Sequence, residues 1–68
     1  MFDSSRLRQK IIAEYGTIRD FASAMGMSDS AISGRLSNKS QWRQSEIKKA
    51  VAILHIVPAD IGAYFFAV

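Results

Sequence analysis

The stretch TIRDFASAMGMSDSAISGRLSN, residues 17–38, decides the fold, because it carries the start and stop signals of two short helices around one glycine. Thr17 offers a hydroxyl to cap a helix, and Asp20, three residues on, gives a box-like pattern that also suits the positive helix end. Phe21, Ala22 and Met25 then form an apolar face, and the small Ala22 allows a neighbouring helix to cross closely. Gly26 can close this helix in a left-handed conformation without steric cost, and Ser28, after the apolar Met27, is placed to cap the next. The pattern predicts a second helix and then a third over residues 28–38. Met25 and Met27 lie beneath the turn, while Ile32 and Leu36 anchor the third helix to the core. Counting about 100° per residue from Ile32, Ser33 falls at about 100°, Ser37 at about 140°, Ser30 at about 160° and Gly34 at about 200°. The exposed face of the third helix is therefore small and hydroxylic.

On either side, Gly16, Gly34, Asn38 and Pro58 divide the chain into further short segments of helical period. Upstream, Leu7, Ile11 and Tyr15 recur every four residues while Arg6, Arg8 and Lys10 point elsewhere, with Ser4 or Ser5 available as a cap and Gly16 as a stop. Downstream, Trp42 precedes a fourth helix whose apolar stripe is Ile47, Ala50, Val51 and Leu54, leaving Lys48, Lys49 and Ala52 outside it. Trp42 is expected to staple this helix, and Arg35 reads as a structural or solvated residue. His55, at the helix end, is expected to turn left-handed and to favour the negative helix end. Pro58 suits the first position of a fifth helix, with Asp60 in its first turn and Ile61, Tyr64, Phe65 and Phe66 as its apolar group. Residues 63–68 are too short to assign by period alone, and no segment alternates long enough to make a strand. The expectation is one all-α domain of five helices spanning residues 1–68.

Composition narrows what such a domain can do. At 68 residues there is room for one core, and 49% hydrophobic residues are enough to fold it. The absence of cysteine excludes disulfides, thiolate metal sites and a cysteine nucleophile. His55 is the only histidine and has no partner for a metal site or a catalytic base, so neither metal nor cofactor is expected. Without a nucleophile–base pair, a phosphate loop or paired carboxylates, the chain does not read as an enzyme. No apolar run approaches the ~20 residues of a membrane span, and the N-terminal residues lack the order of a signal peptide. A cytoplasmic protein is expected. The net charge of +3 suits an anionic partner.

The order and spacing of Thr17-Ile18, Phe21-Ala22, Gly26-Met27-Ser28 and Ile32-Ser33 resemble the Cro and lambda-repressor-like helix-turn-helix regulators, whose pattern is Thr-Gln, Leu-Ala, Gly-Val-Ser and Ile-Ser. Residues 7–15 look like that family's first helix, and residues 42–66 look like the closing helices of short phage regulators. The resemblance implies a compact five-helix lambda-repressor-like DNA-binding domain, with the helix-turn-helix formed by helices two and three, and a phage or prophage origin. Carried over by position, it implies that Ser28, Asp29, Ser30 and Ser33 face bases, while Thr17, Arg19, Asn38 and Lys39 lie near phosphates. Arg43 flanks the same surface. Two departures stand out. Ile18 replaces a glutamine that supports backbone contacts, and Asp29 brings a negative charge to a face with no Arg, Asn or Gln for bidentate base contacts.

Two functional expectations follow. The first is a transcriptional regulator that binds a double-stranded operator, as a dimer whose recognition helices enter successive major grooves about 34 Å apart. The second, drawn from Ile18, Asp29 and the aromatic tail, is an antirepressor or modulator that docks on another repressor protein. One helix face cannot bury Tyr64, Phe65 and Phe66 together, so these three are candidates for an interface with a second copy or with that repressor.

Overall fold

The structure is a computed structural model that describes residues 3–66. Met1, Phe2, Ala67 and Val68, the last two closing the terminal apolar run, lie outside the described residues. Five α-helices follow one another: α1 (Ser5–Tyr15), α2 (Ile18–Met25), α3 (Asp29–Leu36), α4 (Gln44–Ile53) and α5 (Ile61–Phe65). No strand occurs among the described residues. The expected start of a fifth helix at Pro58 is corrected: Pro58–Asp60 form a single 3-10 turn, and α5 begins only at Ile61. Proline tolerates either helix type in a first turn, so the residue type alone does not separate them.

The first helix also differs from expectation at its cap. Neither Ser4 nor Ser5 caps it with a side-chain acceptor. Asp3 does that work, its Oδ1 accepting from Ser5 N at 3.0 Å and from Ser5 Oγ at 2.6 Å. These bonds, the side-chain one foremost, hold the Asp3 carboxyl below its ordinary value. At α2 and α3 the caps are as read: Thr17 Oγ1 accepts from Asp20 N at 3.0 Å, and Ser28 Oγ from Ala31 N at 3.1 Å.

Short helices need sharp ends, and three of them end in the same way. At Gly26, with φ of 71°, Met27 N donates to Ala22 O at 2.9 Å and Gly26 N to Ser23 O at 3.0 Å. Asn38 (φ 66°) closes α3 while Lys39 N donates to Gly34 O at 2.9 Å, and His55 (φ 57°) closes α4 while Ile56 N donates to Val51 O at 3.0 Å. Each left-handed residue satisfies helix-end carbonyls and reverses the chain within a few residues.

The core gathers around α2, which packs against α1, α3 and α4, while α1 also meets α5. Leu7, Ile11, Phe21, Ala22, Met25, Ile32, Leu36, Ala50 and Leu54 are buried, as the apolar periodicity of each helix predicts, joined by Ile56 and Phe65. Ile47 and Val51 are only half-buried, so the outer edge of the α4 stripe is not covered. Edge-to-face ring contacts tie the ends together: Tyr15 on Phe21 at 5.7 Å, and Trp42 on Phe65 at 5.2 Å. The Tyr15 hydroxyl also donates to Ile53 O at 3.3 Å, linking the last turns of α1 and α4.

The left-handed positions make opposite predictions. A Cβ at Gly26 would meet only Lys49 Nζ, at 3.9 Å, so Gly26→Ala should cost only the backbone strain, about 1 kcal/mol. The exposed His55 already bears that strain, so His55→Gly should raise stability by about 0.5–1 kcal/mol. Urea unfolding of both variants reads the two signs.

Candidate functional site

The surface of α2 and α3 is set by the Gly26 turn on one side and by an ion pair on the other. Arg35, in the last turn of α3, donates from Nε to Glu46 Oε1 at 2.7 Å and from Nη2 to Glu46 Oε2 at 2.9 Å. Its Nη1 also donates to Ala31 O and to Ser40 Oγ, both at 3.3 Å. Glu46 Oε1 accepts a further bond from Arg43 N at 2.9 Å, which closes the first turn of α4. One carboxylate thus caps α4 and clamps α3 to it. The hydrogen bonds from Arg35 are the main reason the Glu46 carboxyl sits below its ordinary range; burial opposes them, and the Arg43 N–H and both positive charges add to them. The same bonds hold the Arg35 guanidinium above its usual value. Arg35 is therefore structural. Glu46 carried a sequence signal of its own, an acidic residue three positions after the N-cap Arg43, but its partner eleven residues away did not.

With α3 held in this way, Ser28, Asp29, Ser30 and Ser33 are all exposed. The Ser28 lone pair is used by the cap, and the Ser37 hydroxyl donates back to Ser33 O at 2.7 Å, so neither is wholly free to meet a ligand. Thr17, Arg19, Asn38, Lys39 and Arg43 are exposed as well. Two of the expected site residues meet each other: Arg19 Nε lies 4.0 Å from Asp29 Oδ2. The cation assigned to phosphate and the anion assigned to bases are partners across α2 and α3.

The aromatic tail needs correction. Tyr64, Phe65 and Phe66 do not share one surface, because consecutive residues of α5 are turned by about 100° from one another. Phe65 is 4% exposed and belongs to the core, against Trp42. Tyr64 is half-buried and lines a shallow groove with Arg6, Gln9, Lys10, Ala13 and Asp60. Only Phe66 is open, at 64% exposure. It stands between two hollows that share Ile47. One, of about 390 Å³, runs past Trp42 and Phe65 to Arg35 and Asn38. The other, of about 290 Å³, is lined by Gln44, Ile47, Lys48, Val51, Ile61 and Phe66 and is almost wholly apolar. Trp42 Nε1 is buried with no hydrogen-bond partner beside the first hollow.

Among the described residues no group of three or more His, Cys, Asp or Glu could hold a metal ion, and no helix is long and apolar enough to cross a membrane.

The fold and surface define a small all-helical protein that presents a tight helix pair on one side and a half-open apolar edge on another. The chain belongs to the family described as protein of unknown function DUF739, whose family model matches residues 1–68. It is also similar to the modulator of repression of the temperate bacteriophage TP901-1 from Lactococcus lactis. The solution structure of that protein matches with a TM-score of 0.84 at 45% identity, over 96% of this chain and 88% of that one. No curated protein matches the chain.

The Arg35–Glu46 pair generates a test of how the site is held. Both side chains are 14% exposed and the pair is bidentate, so Arg35→Ala should lower stability at neutral pH by about 2 kcal/mol. A carboxyl with a lowered native value stabilises the fold above its unfolded value, here near 4.5, and that contribution fades as pH falls through the native value. The stability gap between the natural chain and Arg35→Ala, measured by denaturant unfolding, should accordingly be full above pH 4.5 and narrow below it.

Proposed function

We propose that this chain is a phage or prophage regulator that modulates repression by binding a repressor protein, acting through association rather than catalysis. The observation that carries this reading is the 45% identity, across 96% of the chain, to a phage modulator of repression. In the proposal, α2 and α3 are a helix-turn-helix of the lambda-repressor-like kind, retained within a single domain over residues 1–68 as a scaffold. The contact surface is the apolar edge of α4 and α5, where Phe66 projects beside half-buried Ile47, Val51 and Ile61. An exposed aromatic ring flanked by partly covered aliphatic side chains is the usual composition of an interface centre. Lys48 lies on the rim of the same hollow and suits a partner with acidic residues around its apolar contact. Such a regulator would work in the bacterial cytoplasm, where a repressor binds its operator.

The exposed hydroxylic face of Ser28, Ser30 and Ser33 favours a second reading, direct binding of a double-stranded operator, with a homodimer as the form that reads a palindrome. Asp29, beside Arg19, counts against it.

Titration of the chain with the repressor of its own phage or prophage separates the two. A stoichiometric complex at micromolar concentration is expected, and Phe66→Ser should weaken it by about tenfold or more while leaving thermal unfolding nearly unchanged, since Phe66 is mostly exposed. Absence of any complex, together with enrichment of a palindromic site from a random DNA pool, would transfer the assignment to operator binding.

A further inference from the structure

The charges of this chain are unevenly placed. Around α2 and α3 the exposed cations Arg19 and Lys39 are balanced by the exposed anions Asp20 and Asp29, and Arg35 is engaged by Glu46. The net charge of +3 is thus carried by other segments, chiefly by Arg6, Arg8 and Lys10 of α1 and by Arg43, Lys48 and Lys49 at α4, of which Lys49 reaches back to the Gly26 turn, its Nζ 3.9 Å from where a Cβ on Gly26 would lie. On α2 and α3 themselves, the acidic residues Asp20 and Asp29 offset the positive charge that DNA binding would place where phosphates approach.

Asp29 is the centre of this balance. It lies in the first turn of α3, where the partial positive charge of the helix end would otherwise favour a phosphate, and its carboxylate reaches to within 4.0 Å of the Arg19 guanidinium. The adjacent Ser28 hydroxyl already caps Ala31 N. One side chain thus takes the helix end and the nearby arginine at once.

We infer that Asp29 closes the α2–α3 face to DNA, standing where a phosphate would lie and engaging Arg19. This rests on the reading of α2 and α3 as a helix-turn-helix, and it goes beyond repressor binding: the chain keeps a scaffold able to hold duplex DNA and a single carboxylate prevents it. The two charged groups are 85% and 61% exposed, so the pair adds little to stability, and the closure comes from the Asp29 charge offsetting the Arg19 cation that a phosphate would otherwise meet. Lys39 and the hydroxylic face of Ser30 and Ser33 remain exposed once Asp29 is neutral.

The test uses the full chain and a labelled duplex of mixed sequence, with binding followed by fluorescence anisotropy over a range of salt. Asp29→Asn leaves the Ser28 cap in place and should tighten binding about five- to tenfold at low salt, while steepening the slope of log affinity against log salt by about 1. Arg19→Gln added to Asp29→Asn should remove most of that gain. Asp20→Asn changes the net charge equally and should give a much smaller effect. Unchanged affinity in Asp29→Asn, an equal gain in Asp20→Asn, or full retention of the gain without Arg19 would each overturn the inference. Circular dichroism of Asp29→Asn and of a second variant, Asp29→Ser, checks that the helices persist. No repressor enters this assay, so its outcome is independent of whether a repressor complex forms.

Discussion

Among the described residues no helix exceeds 11 residues, and α2 and α3 have 8 each, lengths at which an isolated helix in water is marginal. Stability must come from burying one face of every helix, and the chain must turn back almost at once to do so. The left-handed residues Gly26, Asn38 and His55 meet that constraint. Because Gly26 turns the chain immediately after Met25, the buried Phe21 and Ala22 of α2 and Ile32 of α3 enter one core. A longer connection would let α3 swing and would leave its serine side without a defined direction.

The other half of the scaffold is polar. Glu46 serves the first turn of α4 and the last turn of α3 with the same carboxylate, so the loop over residues 37–43 is spanned by charge-assisted bonds while hydrophobic contact accumulates elsewhere. Gly34 takes part in this closure: its carbonyl accepts from Lys39 N and Ser40 N, and a Cβ on it would come within 3.2 Å of Ser40 Oγ. The arrangement brings Trp42 over Phe65, joining the start of α4 to the end of α5 and placing Phe66 at the rim of the aromatic cluster.

These two supports separate two surfaces of different chemistry. The α2–α3 face is hydroxylic and carries Asp29 beside Arg19, whereas the α4–α5 edge is apolar, incompletely covered and bordered by lysine. A protein that modulates repression by contact needs the second surface. It also gains from silence on the first, because affinity for DNA of any sequence would draw it away from its partner. The similarity to a phage modulator of repression bears on the kind of protein this is, and the choice between the two faces rests on their chemistry.

The elements whose information is local were legible in the residues themselves. Thr17, Gly26, Ser28 and His55 act within five positions along the chain, and the apolar spacing of Leu7, Ile11, Phe21, Met25, Ile32 and Leu36 marks the core side of three helices without reference to any partner. Asp3 was missed as a cap because two serines stood closer to the helix start. What depends on separation in sequence could not be read in this way. Glu46 finds Arg35 eleven residues back, Tyr15 finds Ile53 thirty-eight residues on, and Trp42 finds Phe65 across α4. Local chemistry determined that five short helices would form and where most would stop. Only the tertiary packing decided which of three consecutive aromatics was buried, which cation faced Asp29 and which apolar edge stayed open. Those outcomes depend on how helices dock in space, and a period of 3.6 residues specifies a helix face without naming what will cover it.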